Sequence, residues 1–200
     1  MNYKLLLFIP LFILYSCKID KTPTQKDSIS SEKQVSKAET DAVSTIQITG
    51  DNLNDILIGK VNRENISFDN SDLYINGGAL ISGVYHGKEY SLSTISGKND
   101  IIHYVLFEEV TSKNNIPSFK IIDVLKIDEE TRNLLSNSEI ELYIVMASKD
   151  QVANEEIIAI ATYEDNKVFT EIHKAWRADR ETEKFIEIPT EGITVDNVLY

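Results

Sequence analysis

From about Ile46 to the end of the chain, short apolar runs alternate with turn residues, and this pattern constrains the fold more than any other feature. Such runs, bounded by Gly, Asn and Asp, are typical of β-strands joined by tight turns. The clearest turn signals are Asn76-Gly77-Gly78 and His86-Gly87, because asparagine and glycine tolerate the positive φ angles of a two-residue hairpin. The sequence therefore predicts a mainly β domain.

The later apolar runs continue this pattern. Pro189 and Gly192 predict the end of regular structure before an acidic tail. We expect a meander-like antiparallel sheet of about ten strands, and a sheet of that size curls into a barrel or splits into a sandwich. Two runs are apolar on both faces and are predicted to be central strands covered on both sides: 140–147 and 157–163.

One stretch predicts a short helix instead. Asp128 is a favourable N-cap, and two glutamates follow it in the first turn. Leu134-Leu135 would then face the core. This single helix leaves the fold class mainly β, at the margin of α+β.

The first 16 residues have the features of a targeting segment. Lys4 precedes the apolar run 5–15, which is about half the ~20 residues that a membrane-spanning helix needs. Leu14-Tyr15-Ser16-Cys17 resembles the lipobox of bacterial lipoproteins. The resemblance implies cleavage of the signal peptide before Cys17, acylation of that cysteine with fatty chains such as palmitate, and a stable membrane anchor.

The resemblance also implies a location and a domain order. Lys18 stands where an aspartate would signal retention in the inner membrane, so the outer membrane is implied. Residues 17–45 are polar and contain no aromatic residue, which predicts a flexible tether. We expect a signal peptide (1–16), a lipid-anchored tether (17–45) and one β-rich domain (46–200). Cys17 is the only cysteine, so no disulfide is available to the domain.

Residues 46–200 contain 14 basic and 27 acidic residues, a net charge of −13. Such a surface repels phosphate backbones, so nucleic acid is not an expected partner. A basic protein or a small ligand is compatible with this charge. Solubility alone is the simpler explanation of the acidity.

Asp123 is the most unusual candidate residue, because it alternates with apolar residues on one strand (119–127). Strict alternation would bury its carboxylate, and an unpaired buried charge is too costly to persist. Three alternatives follow: a buried donor pairs with Asp123, a β-bulge turns it outward, or it faces a polar cavity.

Three further residues are candidates. Glu171 and His173 lie two positions apart on one predicted strand, so an imidazole–carboxylate pair is within reach. Trp176 shares a face with apolar neighbours and is interpreted as core, with an exposed stacking platform as the alternative. The histidines at positions 86, 103 and 173 are not spaced as a local ligand pair, so no metal site or cofactor is expected.

The segment Ala175–Asp179 followed by Lys184–Ile188 resembles the closing hairpin of small uncharacterised proteins of Bacteroidota, which implies no mechanism. The leading functional hypothesis is a non-enzymatic, lipid-anchored binding domain of the cell envelope. Two alternatives remain: an immunity-like inhibitor of a basic toxin, and a small envelope hydrolase built around Asp123, Glu171 or His173.

Overall fold

The computed structural model describes residues 57–59, 63, 66, 68, 72–113 and 115–199. The predicted signal peptide, Cys17 and the predicted tether lie outside them. The helical elements that lie wholly within these residues are a 3-10 turn (Lys98–Asp100) and α1 (Glu129–Leu135). The strands are β1 (Tyr74–Tyr85), β2 (Lys88–Ser96), β3 (Ile102–Lys113), β4 (Ile116–Lys126), β5 (Ile140–Ile144), β6 (Ala147–Lys149), β7 (Val152–Ala153), β8 (Ile157–Thr162), β9 (Val168–Phe169), β10 (Ile172–Asp179), β11 (Lys184–Glu187) and β12 (Ile193–Asp196).

In the described part of the chain the strands form three antiparallel four-stranded sheets, which confirms the mainly β prediction. Sheet 1 is a meander in the order β1-β2-β3-β4, sheet 2 has the order β11-β10-β8-β5, and sheet 3 has the order β7-β6-β12-β9. Among the described strands no sheet closes on itself, so the arrangement follows the sandwich alternative. None of the helices among these residues has the length and apolar character needed to cross a membrane.

Sheet 2 is the middle layer, and β8 shows why. Ile158 and Ile160 point into a cluster shared with sheet 1, where they meet residues such as Phe107. Ala159 and Ala161 point to the other side, into a cluster shared with sheet 3. Because alanine is small, sheet 3 can approach the middle layer closely. The prediction of a central strand covered on both faces is thus confirmed for β8.

The run 140–147 does not form the predicted second central strand. It is interrupted at Val145, whose φ of 56° breaks the extended chain between β5 and β6. β5 then lies at the edge of sheet 2, and β6 belongs to sheet 3. The positive φ at a β-branched residue redirects the chain from one layer to the next.

The first predicted hairpin turn is wrong, and the second is confirmed. β1 runs straight through Asn76-Gly77-Gly78, where its register against β2 shifts by a bulge and Gly77 has a φ of 75°. A Cβ at Gly78 would lie 2.6 Å from the carbonyl oxygen of Leu92, so this position needs glycine. The two-residue turn forms at His86-Gly87, with φ angles of 49° and 81°.

The chain does not lose regular structure after Pro189 and Gly192. β12 follows directly and is an inner strand of sheet 3, paired with β6 on one side and β9 on the other. Ile193 and Val195 are buried in the cluster between sheets 2 and 3. The prediction failed because proline and glycine mark a turn here rather than the end of the fold.

The helix is confirmed. Asp128 accepts a hydrogen bond from the backbone N–H of Thr131 at 2.7 Å, as an N-cap residue does. Lys174 from β10 adds a bond from its Nζ to the same carboxylate at 3.0 Å. The Thr131 bonds and then Lys174 lower the pKa of Asp128 from 3.8 to about 2.

Side chains from other segments contact the outer edge of sheet 1 at Ser82 in β1. The Glu155 carboxylate accepts a hydrogen bond from the Ser82 backbone N–H and a second from its hydroxyl at 2.9 Å. Arg180 donates to the Ser82 carbonyl oxygen at 3.3 Å. Both backbone groups of this edge residue are therefore bonded to side chains.

Candidate functional site

Asp123 pairs with donors from sheet 2. Its side chain is only 13% exposed, and its Oδ2 accepts the backbone N–H of Phe185 at 2.8 Å. Its Oδ1 lies 3.1 Å from Nζ of Lys184. Both partners belong to β11, the edge strand of sheet 2. Asp123 therefore links β4 of sheet 1 to sheet 2. Of the three alternatives, the structure favours pairing with a donor.

A bulge also lies in this strand, although it does not expose Asp123. Phe107 pairs with Asp123 and Glu108 pairs with Ile121, so Ile122 is an extra residue on β4. The bulge ends the strict alternation: Ile121 packs on the outer face of sheet 1, whereas Ile122 packs on the inner face.

Glu171 and His173 have partners other than each other. The ring of His173 shares a hydrogen bond of 2.8 Å between its Nε2 and Oγ1 of Thr162. Glu171 precedes β10, its side chain is exposed, and its backbone N–H donates to Glu164 at 3.0 Å. The register of β10 against β8 shifts at His173, which disturbs the shared face that the sequence suggested.

Trp176 lies in the apolar cluster between sheets 1 and 2, with 7% of its surface exposed. This position matches the interpretation of Trp176 as core.

Sheet 1 also contains a buried carboxylate that the sequence pattern did not predict. Glu108 is fully buried and accepts hydrogen bonds from the hydroxyls of Ser91 at 2.9 Å and Ser93 at 3.0 Å. Nη1 of Arg63 lies 3.5 Å from it, and the Arg63 guanidinium also lies 3.9 Å from the ring centre of Phe119. Serines at alternate positions of the neighbouring strand were the available signal. These contacts satisfy the carboxylate within the fold.

An open groove between sheets 2 and 3 is the strongest candidate for a binding site. We call it the tyrosine groove. It has a volume of about 430 Å³, and its walls come from β5, the end of β8, β9, and the residues that follow β12. The residues that line it are Glu141, Leu142, Tyr143, Ile144, Met146, Tyr163, Phe169, Asp196, Asn197, Val198 and Leu199.

Three aromatic rings lie side by side in the tyrosine groove. The ring centre of Phe169 is 5.4 Å from that of Tyr143 and 5.3 Å from that of Tyr163. Phe169 is buried, whereas Tyr163 is 44% exposed. At the rim Leu199 is 81% exposed. The groove therefore offers aromatic and aliphatic surface to a ligand.

The charged groups that line the groove are acidic. Glu141 and Asp196 both line it, and its described lining contains no lysine, arginine or histidine. Burial, and then the charge and hydrogen bond of Glu141, raise the pKa of Tyr143, so its hydroxyl stays protonated. A ligand in the groove meets negative charge beside aromatic faces.

Other features fit a ligand less well. A cavity of about 540 Å³ lies over Gly77 and Gly78, and the basic residue described there, Arg63, is already engaged with Glu108 and Phe119. No cluster of His, Cys, Asp and Glu suited to a metal ion occurs among the described residues.

No local pattern in the sequence predicts the tyrosine groove, because its walls come from separate segments between Glu141 and Leu199 that meet only when sheets 2 and 3 pack. Comparison of the chain with protein-family models, with curated proteins and with solved structures gave no significant match.

Proposed function

We propose that this chain is a lipid-anchored protein of the bacterial cell envelope whose β domain holds a ligand in the tyrosine groove and catalyses no reaction. The tyrosine groove is the observation that carries the binding role: its volume of about 430 Å³ falls within the range of small-ligand sites. The anchor rests on Leu14-Tyr15-Ser16-Cys17, and the residue after Cys17 favours the outer membrane.

The contacts of the hydrolase candidates support a role without catalysis. Asp123 joins two sheets through Phe185 and Lys184, and His173 is bonded to Thr162. Asp123 is thereby engaged at both carboxylate oxygens, and Glu171 and His173 contact other groups instead of forming the acid–base pair that the hydrolase alternative needs.

The test uses ligands that purify with the protein. The chain is isolated from cell envelopes in a non-ionic detergent and heated, and the released small molecules are identified by mass spectrometry. Leu199→Arg places a long cationic side chain at the rim of the tyrosine groove and should abolish the recovered ligand. Ile116→Arg is the matched control, because Ile116 is an aliphatic residue of sheet 1 with a similarly exposed side chain (68%). This variant should retain the ligand. Equal recovery from both variants, or none from the parent chain, would contradict the proposal.

A further inference from the structure

The tyrosine groove combines two features that favour the same ligand chemistry. The negative faces of aromatic rings attract cations, most strongly when several rings surround the charge and water is partly excluded. Phe169 lies within 5.4 Å of the ring centres of both Tyr143 and Tyr163, so three such rings adjoin one cavity.

The two carboxylates that line the tyrosine groove differ from several others in the described part of the chain, because they form no ion pair there. Asp123, Glu156 and Glu183 each form an ion pair with a lysine or arginine within 3.1 Å. Glu141 and Asp196 line the tyrosine groove without an ion pair to any basic residue in the described part of the chain. Glu141 accepts a hydrogen bond from the Tyr143 hydroxyl, but within the described residues no cation neutralises either carboxylate, so a cationic ligand can do so.

We propose that the tyrosine groove binds a small organic cation, an ammonium group carried on a short apolar body. The inference rests on the proposed function, because it names the ligand class of the same site. The apolar body would contact the exposed side chains of Val198 and Leu199, while the ammonium head would lie against the tyrosine rings and near the two carboxylates. The net charge of −13 for residues 46–200 would favour the encounter with a cation.

The test compares three probes of nearly identical shape and different charge: choline, 3,3-dimethyl-1-butanol and 3,3-dimethylbutanoate. Each is titrated into the full chain in dodecyl maltoside, and binding is followed by NMR through the backbone amides of the groove residues. Choline should bind about tenfold more tightly than the neutral alcohol. The anion should bind more weakly than either.

Two variants identify the groups responsible. Tyr163→Leu keeps the apolar wall but removes an aromatic face, and should weaken choline binding several-fold while changing binding of the alcohol little. Glu141→Gln keeps the hydrogen-bonding capacity but removes the charge, and should also weaken choline binding. Tyr74→Leu and Glu187→Gln, at exposed positions outside the groove, are the matched controls and should leave it unchanged.

The outcomes separate the two proposals. Equal affinity for choline and the alcohol, with shifts confined to the groove, would overturn the cation inference and leave the binding role standing. Tighter binding of the anion would also overturn it. If none of the probes perturbed the groove residues, the cation inference would fail, and the binding role would be decided separately by the ligand recovered from cell envelopes.

Discussion

Replacing Asp123 by alanine tests whether its carboxylate stabilises the protein by linking sheet 1 to sheet 2. The change removes the acceptor of the Phe185 N–H at 2.8 Å and the partner of Lys184 Nζ at 3.1 Å. These two losses have different costs, because the backbone N–H is partly buried whereas the lysine side chain is 55% exposed.

The magnitude follows from these exposures. A partly buried backbone N–H left without an acceptor costs about 1–3 kcal/mol. An ion pair with an exposed lysine contributes at most about 1 kcal/mol. Asp123→Ala should therefore lower the free energy of unfolding by about 1–4 kcal/mol. Asp123→Asn keeps an acceptor for the N–H and should cost less than about 1 kcal/mol, close to the cost of Lys184→Ala.

Urea denaturation, followed by tryptophan fluorescence, measures these differences, since Trp176 lies in the cluster between the two sheets. Asp72→Ala, at an exposed aspartate, is the control and should change stability by less than about 0.5 kcal/mol. If Asp123→Ala were as mild as Asp123→Asn or the control, the Phe185 hydrogen bond would not join the sheets as argued.

Four further predictions concern other parts of the chain. Asp128→Ala should destabilise α1 by about 1 kcal/mol. Because the folded pKa of Asp128 is lowered from 3.8 to about 2, its contribution is present above pH 4 and is lost as the pH falls toward 2, so acid unfolding of the variant should be less steep in that range. Glu108→Ala should cost about 2–4 kcal/mol in thermal or urea unfolding, because it leaves two buried hydroxyls and a guanidinium without their acceptor. Cys17→Ala should abolish labelling by a radioactive fatty acid, and equal labelling would refute the anchor. Limited proteolysis should cut within 18–45 before it cuts within 46–200, and protection of the former would contradict a tether.

Short sequence patterns predicted the helix and individual turns better than they predicted how the strands pair with one another. The Asp128 cap and the His86-Gly87 turn are encoded within a few residues, and both form as expected. Asn76-Gly77 carries a turn signal of similar strength but becomes a bulge, because β2 continues to pair with β1 on both sides of it. Whether a glycine ends a strand or bends it depends on a partner strand that local sequence does not reveal.

The candidate site was less predictable for the same reason. Asp123 was singled out correctly as a carboxylate that needs a partner, but its partners lie more than 60 residues away on β11. The tyrosine groove depends on residues after Gly192, where the sequence suggested an irregular tail. A prediction based on periodicity fails when the decisive contact joins two different sheets.

The bonds at Ser82 have a consequence for how copies of this protein behave when they are crowded together. An unprotected edge strand is a template on which another chain can add its own strand, and this is a common first step of aggregation. Glu155 and Arg180 occupy both backbone groups of Ser82, in the last third of β1, and they do so with charged side chains. A strand of another copy therefore cannot pair with β1 at Ser82 unless these side chains first move away, which limits edge-to-edge pairing where many copies share one surface.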